Sequence, residues 1–123
     1  MMLFFSVIRS FVMVSSVAAL AACAEDMAIR KVDGILVTAS GMTVYTYDPD
    51  TNGKSVCNNR CAINWPPVIP LGTPGGVFSV ITRDDGSAQL AFKGKPLYLF
   101  IGDHEAGDRE GDDVGDVWHI VKN

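Results

Sequence analysis

The stretch Gly41-Met42-Thr43-Val44-Tyr45-Thr46-Tyr47-Asp48-Pro49-Asp50 returns as Gly94-Lys95-Pro96-Leu97-Tyr98-Leu99-Phe100-Ile101-Gly102-Asp103. The glycine, the tyrosine, the second aromatic and the aspartate keep one offset (94 − 41 = 53 for the first pair). Trp65 and Val68 recur at the same offset as Trp118 and Val121. An internal repeat of this length is one supersecondary unit that needs its neighbour to bury a core. Within each copy the two aromatics are two residues apart, so in a strand they share one face of the sheet. The expected result is a shared aromatic core stripe over which each Trp closes. The competing reading is a stacking platform for a sugar or another flat ligand.

Short β-rich runs extend outward from the repeat. Ile35 to Thr38, Thr43 to Tyr47, Val77 to Thr82, Gln89 to Phe92, Leu97 to Ile101 and Trp118 to Val121 are rich in β-branched and aromatic residues. Turn signals separate them at Ser40-Gly41, Asp84-Asp85-Gly86 and Lys93-Gly94. Trp65-Pro66-Pro67 is excluded from a central strand because proline has no donor for a ladder. The Cys57–Cys61 region has room for one helical turn. This predicts an all-β domain, a small antiparallel barrel or sandwich made of two related repeats. Residues 34–70 form the first repeat, 71–76 a Gly/Pro linker, and 77–123 the second repeat.

The N-terminus reads as a cleaved export signal over residues 1–22. Arg9 supplies positive charge, and the apolar run Ser10 to Ala22 is too short to span a bilayer comfortably. Leu20-Ala21-Ala22-Cys23 resembles a lipobox, which would make Cys23 a lipidated first residue. Ala22-Cys23-Ala24 also fits ordinary signal peptidase and release of a soluble periplasmic or secreted protein cleaved after Ala24. The lipoprotein reading is preferred, on a periplasm-facing membrane surface. It favours the outer membrane, since Ala24 rather than an Asp follows the cysteine. Residues 23–33, polar and without pattern, are expected to be a tether. The chain is acidic, with 10 Lys and Arg against 14 Asp and Glu. Nucleic acid is therefore not an expected partner, because phosphate binding needs a basic face.

Cys57 and Cys61 remain once Cys23 is lipidated or removed. An even pair in an oxidising compartment reads as a disulfide that fixes the turn Asn58-Asn59-Arg60.

These residues resemble a bacterial secreted-repeat family of predicted lipoproteins named for a Tyr-x-aromatic-x-x-Asp motif. The motif stands at Tyr45-Thr46-Tyr47-Asp48-Pro49-Asp50 and at Tyr98-Leu99-Phe100-Ile101-Gly102-Asp103. The segment Cys57-Asn58-Asn59-Arg60-Cys61-Ala62-Ile63-Asn64-Trp65-Pro66-Pro67 and the close Val117-Trp118-His119-Ile120-Val121 add to the likeness, which covers residues 34 to 121. The resemblance implies export and a repeat, and no established activity.

Three chemistries have candidate residues. Asp48-Pro49-Asp50-Thr51-Asn52-Gly53 matches the opening of a calcium loop, although position twelve is Asn59 rather than a glutamate. Asp103, Glu105, Asp108, Glu110, Asp112, Asp113 and Asp116 are half of the 14 acidic residues, set against the single base Arg109. Calcium held by Asp48, Asp50, Asn52, Asp108 and Asp112 would relieve their repulsion, while solvated Asx turns explain the same composition. A redox or transition-metal site would draw on Cys57, Cys61, His104 and His119, with Met27 and Met42 for copper. The spacing fits neither c-type haem nor thioredoxin. Hydrolytic signatures are absent from the sequence. The expected function is a non-enzymatic binding or structural module of the cell envelope, with an envelope protein or glycan as partner. A periplasmic redox or metal-handling accessory protein is the alternative.

Overall fold

The computed structural model describes residues 28–123. The export signal, Cys23 and the first part of the tether lie outside the described residues. Seven strands run in chain order: β1 Ile29–Val32, β2 Ile35–Thr38, β3 Tyr45–Tyr47, β4 Phe78–Thr82, β5 Ala88–Phe92, β6 Lys95–Pro96 and β7 Trp118–Ile120. The one α-helix among the described residues, α1, is Arg60–Asn64, and a 3-10 turn covers Val114–Asp116. The expected all-β class holds. The strands form small antiparallel sheets, β1-β2, β3-β7 and β4-β5-β6. Single bridges such as Ile35 to Lys122, Val37 to Thr43 and Tyr45 to Tyr98 join them. Among the described residues these sheets do not close into a barrel, which leaves the open, sandwich-like arrangement.

Two expectations need correction. Part of the presumptive tether, residues 29–32, is β1, paired with β2 from Ile29 opposite Thr38 to Val32 opposite Ile35. Its outer positions Arg30, Lys31 and Val32 are exposed, so it lacks the apolar alternation that marks a half-buried strand. The local cause is Asp33-Gly34, whose φ values of 51° and 80° are the left-handed pair that a two-residue hairpin turn demands. The same device recurs at Lys93-Gly94, with φ of 49° and 80°, between β5 and β6. Leu97 to Ile101 differs as well. It makes bridges at Tyr98 and no continuous ladder, because the facing segment carries Pro66 and Pro67.

The repeats exchange their closing segments. The second repeat's β7 pairs with the first repeat's β3, Tyr45 opposite Ile120 and Tyr47 opposite Trp118. Reciprocally, the first repeat's Pro67 bridges the second repeat's Tyr98. Asp48 N donates to Val117 O at 2.8 Å, and its repeat mate Ile101 N donates to Asn64 O at 2.9 Å. Tyr45 N to Tyr98 O at 2.8 Å and Tyr98 N to Tyr45 O at 2.9 Å lie at the centre of this pseudo-twofold. The exchange explains why each unit cannot bury its face alone.

Two cores follow. The aliphatic one holds Leu36, Val44, Val68, Leu90, Phe92, Leu97 and Val121, in which Val44/Leu97 and Val68/Val121 are repeat mates. The second holds Tyr45, Cys57, Trp65, Tyr98 and Trp118.

Candidate functional site

The motif residues meet across the pseudo-twofold rather than within their own copies. Tyr45 O–H donates to Asp103 Oδ2 at 2.7 Å, and Tyr98 O–H donates to Asp50 Oδ2 at 2.5 Å. Each carboxylate uses its other oxygen to hold its own loop. Asp50 Oδ1 accepts Val56 N at 2.8 Å, and Asp103 Oδ1 accepts Glu110 N at 2.9 Å. The Tyr-x-aromatic-x-x-Asp motif is thus a mutual clasp: the tyrosine of one repeat fastens the loop-opening aspartate of the other. The motif glycines serve the same exchange. Gly53 N donates to Gly94 O at 2.7 Å, and Gly107 N donates to Gly41 O at 3.2 Å. Gly41 and Gly94 have φ of 90° and 80°, and a Cβ on Gly41 would stand 2.8 Å from Ala106 Cβ.

The aromatics form a palindromic column, Tyr47–Trp118–Trp65–Phe100. The two Trp rings stack with centroids 3.8 Å apart and planes 3° from parallel. Tyr47 stacks on Trp118 at 4.1 Å, and its repeat mate Phe100 stacks on Trp65 at 4.2 Å. Tyr45 meets Trp65 edge-on at 5.5 Å, and Tyr98 meets Trp118 edge-on at 5.1 Å. Trp65 is 6% exposed and Trp118 4%, so the stacked Trp pair is core, with half-buried Tyr47 and Phe100 at its ends. Offset-stacked and edge-to-face pairs each add about 0.5–1.5 kcal/mol beyond area burial.

Around Tyr98 the hydrogen bonds run in one direction. Arg83 Nη1 donates to Ser55 Oγ at 3.0 Å, Ser55 Oγ lies 2.6 Å from the Tyr98 oxygen, and Tyr98 donates to Asp50. Arg83 is buried and also donates to Gln89 Oε1 at 2.7 Å and Cys57 O at 2.5 Å. A cation and a carboxylate therefore terminate a chain of two hydroxyls, an arrangement in which each bond polarises the next. Around Tyr45 the equivalent donor is a backbone amide, Gly111 N at 3.1 Å. Burial, then the hydrogen bond to a carboxylate, pushes both phenols well above the ordinary tyrosine range. Burial also raises Asp50, against the opposing pull of Tyr98. Both tyrosines are held as protonated donors, not poised as nucleophiles or bases.

Cys57 and Cys61 form the expected disulfide, with S–S 2.06 Å and Cα–Cα 5.2 Å. It brackets Asn59, whose φ is 56°, and leads into α1. Cys57 is fully buried in the aromatic core, and neither histidine is its partner.

The residues offered for calcium are not gathered into one place. Asp48 and Asp50 diverge, the first to His119 and the second to Tyr98 and Val56. With Asn52 they border a groove of about 220 Å³ that Lys93 and Lys95 also line. Asp108 accepts the amides of His104 at 2.9 Å and Glu105 at 3.0 Å, and these bonds hold its carboxyl below the usual range. Asp112 Oδ1 accepts Ile120 N at 3.2 Å. Among the described residues, the one group of three or more His, Cys, Asp and Glu side chains that converges is Asp112, Asp113 and His119.

Sequence reasoning missed Arg83 and Ser55 and read Gln89 only as a strand residue, because a polar side chain carries no local sign of its burial. It grouped His119 with Cys57, Cys61 and His104, whereas its partners are two aspartates. The imidazole lies between Asp48 Oδ2 at 2.8 Å and Asp113 Oδ1 at 3.1 Å. The Asp48 hydrogen bond is the main cause of its raised pKa.

Fold and clasp together define a pseudo-symmetric two-repeat β-module whose signature residues are its own core. The sequence model of a family described as "Secreted repeat of unknown function" matches residues 27–69 and 79–122, most of the chain, and the protein belongs to that family. Each matched segment contains one copy of the motif, and each clasp joins the two segments. Membership agrees with the export expected from the N-terminal sequence. No curated protein and no solved structure matches the chain.

Proposed function

We propose that this protein is a non-enzymatic module of the cell envelope, anchored through lipid on Cys23, that presents its loop surfaces to an envelope partner. The observation that supports this reading is the inward commitment of the repeat motif. Tyr45, Tyr98, Asp50 and Asp103 satisfy one another, and Trp65 and Trp118 stack face to face. Among the described residues no buried side-chain nitrogen or oxygen lacks a partner, so the core offers no unsatisfied polar group to a substrate. The residues that define the family build the scaffold, and recognition falls to the exposed loops. The lipid anchor rests on Leu20-Ala21-Ala22-Cys23. The buried, core-packed bridge of Cys57 favours a structural staple over a cycling redox pair.

Metabolic labelling with an alkynyl fatty acid, followed by membrane fractionation, tests the anchor. Labelled protein in the membrane pellet, lost on Cys23→Ala, is the expected result. Unlabelled protein with an intact Cys23 in the soluble fraction would overturn lipidation. Cross-linking in intact envelopes then tests the module. An adduct formed from probes in loops 51–64 or 104–116, and absent for probes placed in β5, is expected. Equal adducts from all three positions would refute loop recognition.

A further inference from the structure

One cluster of ligating side chains stands outside the clasp. His119 is on β7, with its ring between Asp48, just beyond β3, and Asp113, at the entry to the 3-10 turn. Asp112 precedes Asp113, and one ligand atom from each of Asp112, Asp113 and His119 lies within 4.8 Å of the others. We propose that these three residues form a surface site for a divalent transition cation of the zinc class, with Asp48 as a positioning residue.

Three observations carry the assignment. First, Asp113 Oδ1 is 3.1 Å from His119 Nδ1. Two ligands at tetrahedral corners with bonds of about 2.0–2.1 Å stand about 3.3 Å apart, so this pair already spans one edge of a zinc tetrahedron. Second, Asp48 Oδ2 is 2.8 Å from Nε2, the opposite ring nitrogen. An outer carboxylate on the far nitrogen is how ligating histidines are oriented. Without a cation the protonated ring donates to both carboxylates; a cation would take the place of the Nδ1 proton and leave Nε2–H on Asp48. Third, Asp112 is fixed through the Ile120 amide on Oδ1, leaving Oδ2 to close the set. One imidazole and two carboxylates suit zinc and its neighbours, whereas calcium takes oxygen alone. Three protein ligands leave a fourth position for water or for a side chain of a partner.

The repeat supplies an internal control. The residues 53 positions before Asp112, Asp113 and His119 are Asn59, Arg60 and Pro66, which cannot reproduce the set. The site therefore exists once per chain and joins the two halves, with Asp48 from the first and its ligands from the second.

Titration calorimetry of Zn²⁺ into the mature protein tests the assignment. The expected result is one site per chain, lost at least tenfold on His119→Gln and on Asp113→Asn, and weakened about 10–100-fold on Asp48→Asn. Asp113 is exposed, so its variant reads the site without a folding penalty. Cobalt substitution adds an independent readout, an absorption band of four-coordinate Co²⁺ that disappears with His119→Gln. Absence of zinc binding, binding undiminished in both variants, or equal affinity for Ca²⁺ would overturn the site. None of these results touches the envelope-module reading, which rests on the clasp and on Cys23.

Discussion

The two loops that follow the clasp aspartates solve one problem with different materials. Residues 51–64 carry a disulfide and a short α-helix, and the buried Arg83 reaches in from the end of β4 to Ser55 and Cys57. Residues 104–117 carry neither a bridge nor an α-helix, only a 3-10 turn; backbone amides held by Asp103, Asp108 and Asp112 stand in their place. Both loops end by delivering a tryptophan to the same stack, 3.8 Å from its mate. The lesson is that pseudo-symmetry constrains the core pairs and leaves the loop interiors free to diverge. Divergence is also what gives the second loop its ligating residues.

The largest test of this comparison is at the stack. Trp65→Ala and Trp118→Ala should each cost about 3–5 kcal/mol, a large share of a stability of about 5–15 kcal/mol. Denaturant melts should place the two variants within about 1 kcal/mol of each other. A difference several times larger would break the equivalence of the halves. Next come the clasps. Tyr45→Phe and Tyr98→Phe each leave a carboxylate oxygen without its donor, at about 1–3 kcal/mol. Tyr98→Phe should cost more, since Ser55 and Arg83 also lose their terminus. Double-mutant cycles should find coupling for Tyr45 with Asp103 and for Tyr98 with Asp50, and little for Tyr45 with Asp50.

A smaller effect separates the loops. Replacing both Cys57 and Cys61 by Ser should lower stability by about 2 kcal/mol, the entropy of so short a closed loop. Limited proteolysis should then cut residues 51–64 before residues 104–117, reversing the order expected while the bridge is intact. The smallest effect is at His119. Its pKa is raised in the folded protein, so its paired charge contributes fully below the ordinary histidine pKa of about 6.5 and is lost as pH rises through the folded value. The wild type should therefore exceed His119→Gln in melting temperature at pH 5.5 and converge with it by pH 8.5. The ring is substantially exposed, so the gain should stay below about 1 kcal/mol.

Much of the architecture was legible in the chain. The constant offset of the motif pairs exposed the repeat, and β-branched runs between turn signals located β2, β4 and β5. Cysteine parity gave the bridge. What stayed hidden depends on which segments meet. Self-similarity shows that Tyr45 resembles Tyr98 and Asp50 resembles Asp103, but it is silent on whether each tyrosine serves its own aspartate or the other's. Three-dimensional closure decides that, and it decides for exchange. β1 was hidden for a local reason: an edge strand with exposed outer positions needs no apolar pattern, and only Asp33-Gly34 marked it. The ligating cluster was hidden because Asp48 and His119 are 71 residues apart in sequence and 2.8 Å apart in space.

The exchanged closing segments also bear on what the linker does. Each half receives its last strand or bridge from the other, so the connection over residues 71–76 carries no clasp and no stacked ring. Its contribution is effective concentration, holding two mutually dependent fragments close enough to find each other. The molecule is in this sense a homodimer-like complex written as one polypeptide. A nick in that connection would leave a two-chain assembly with every clasp intact.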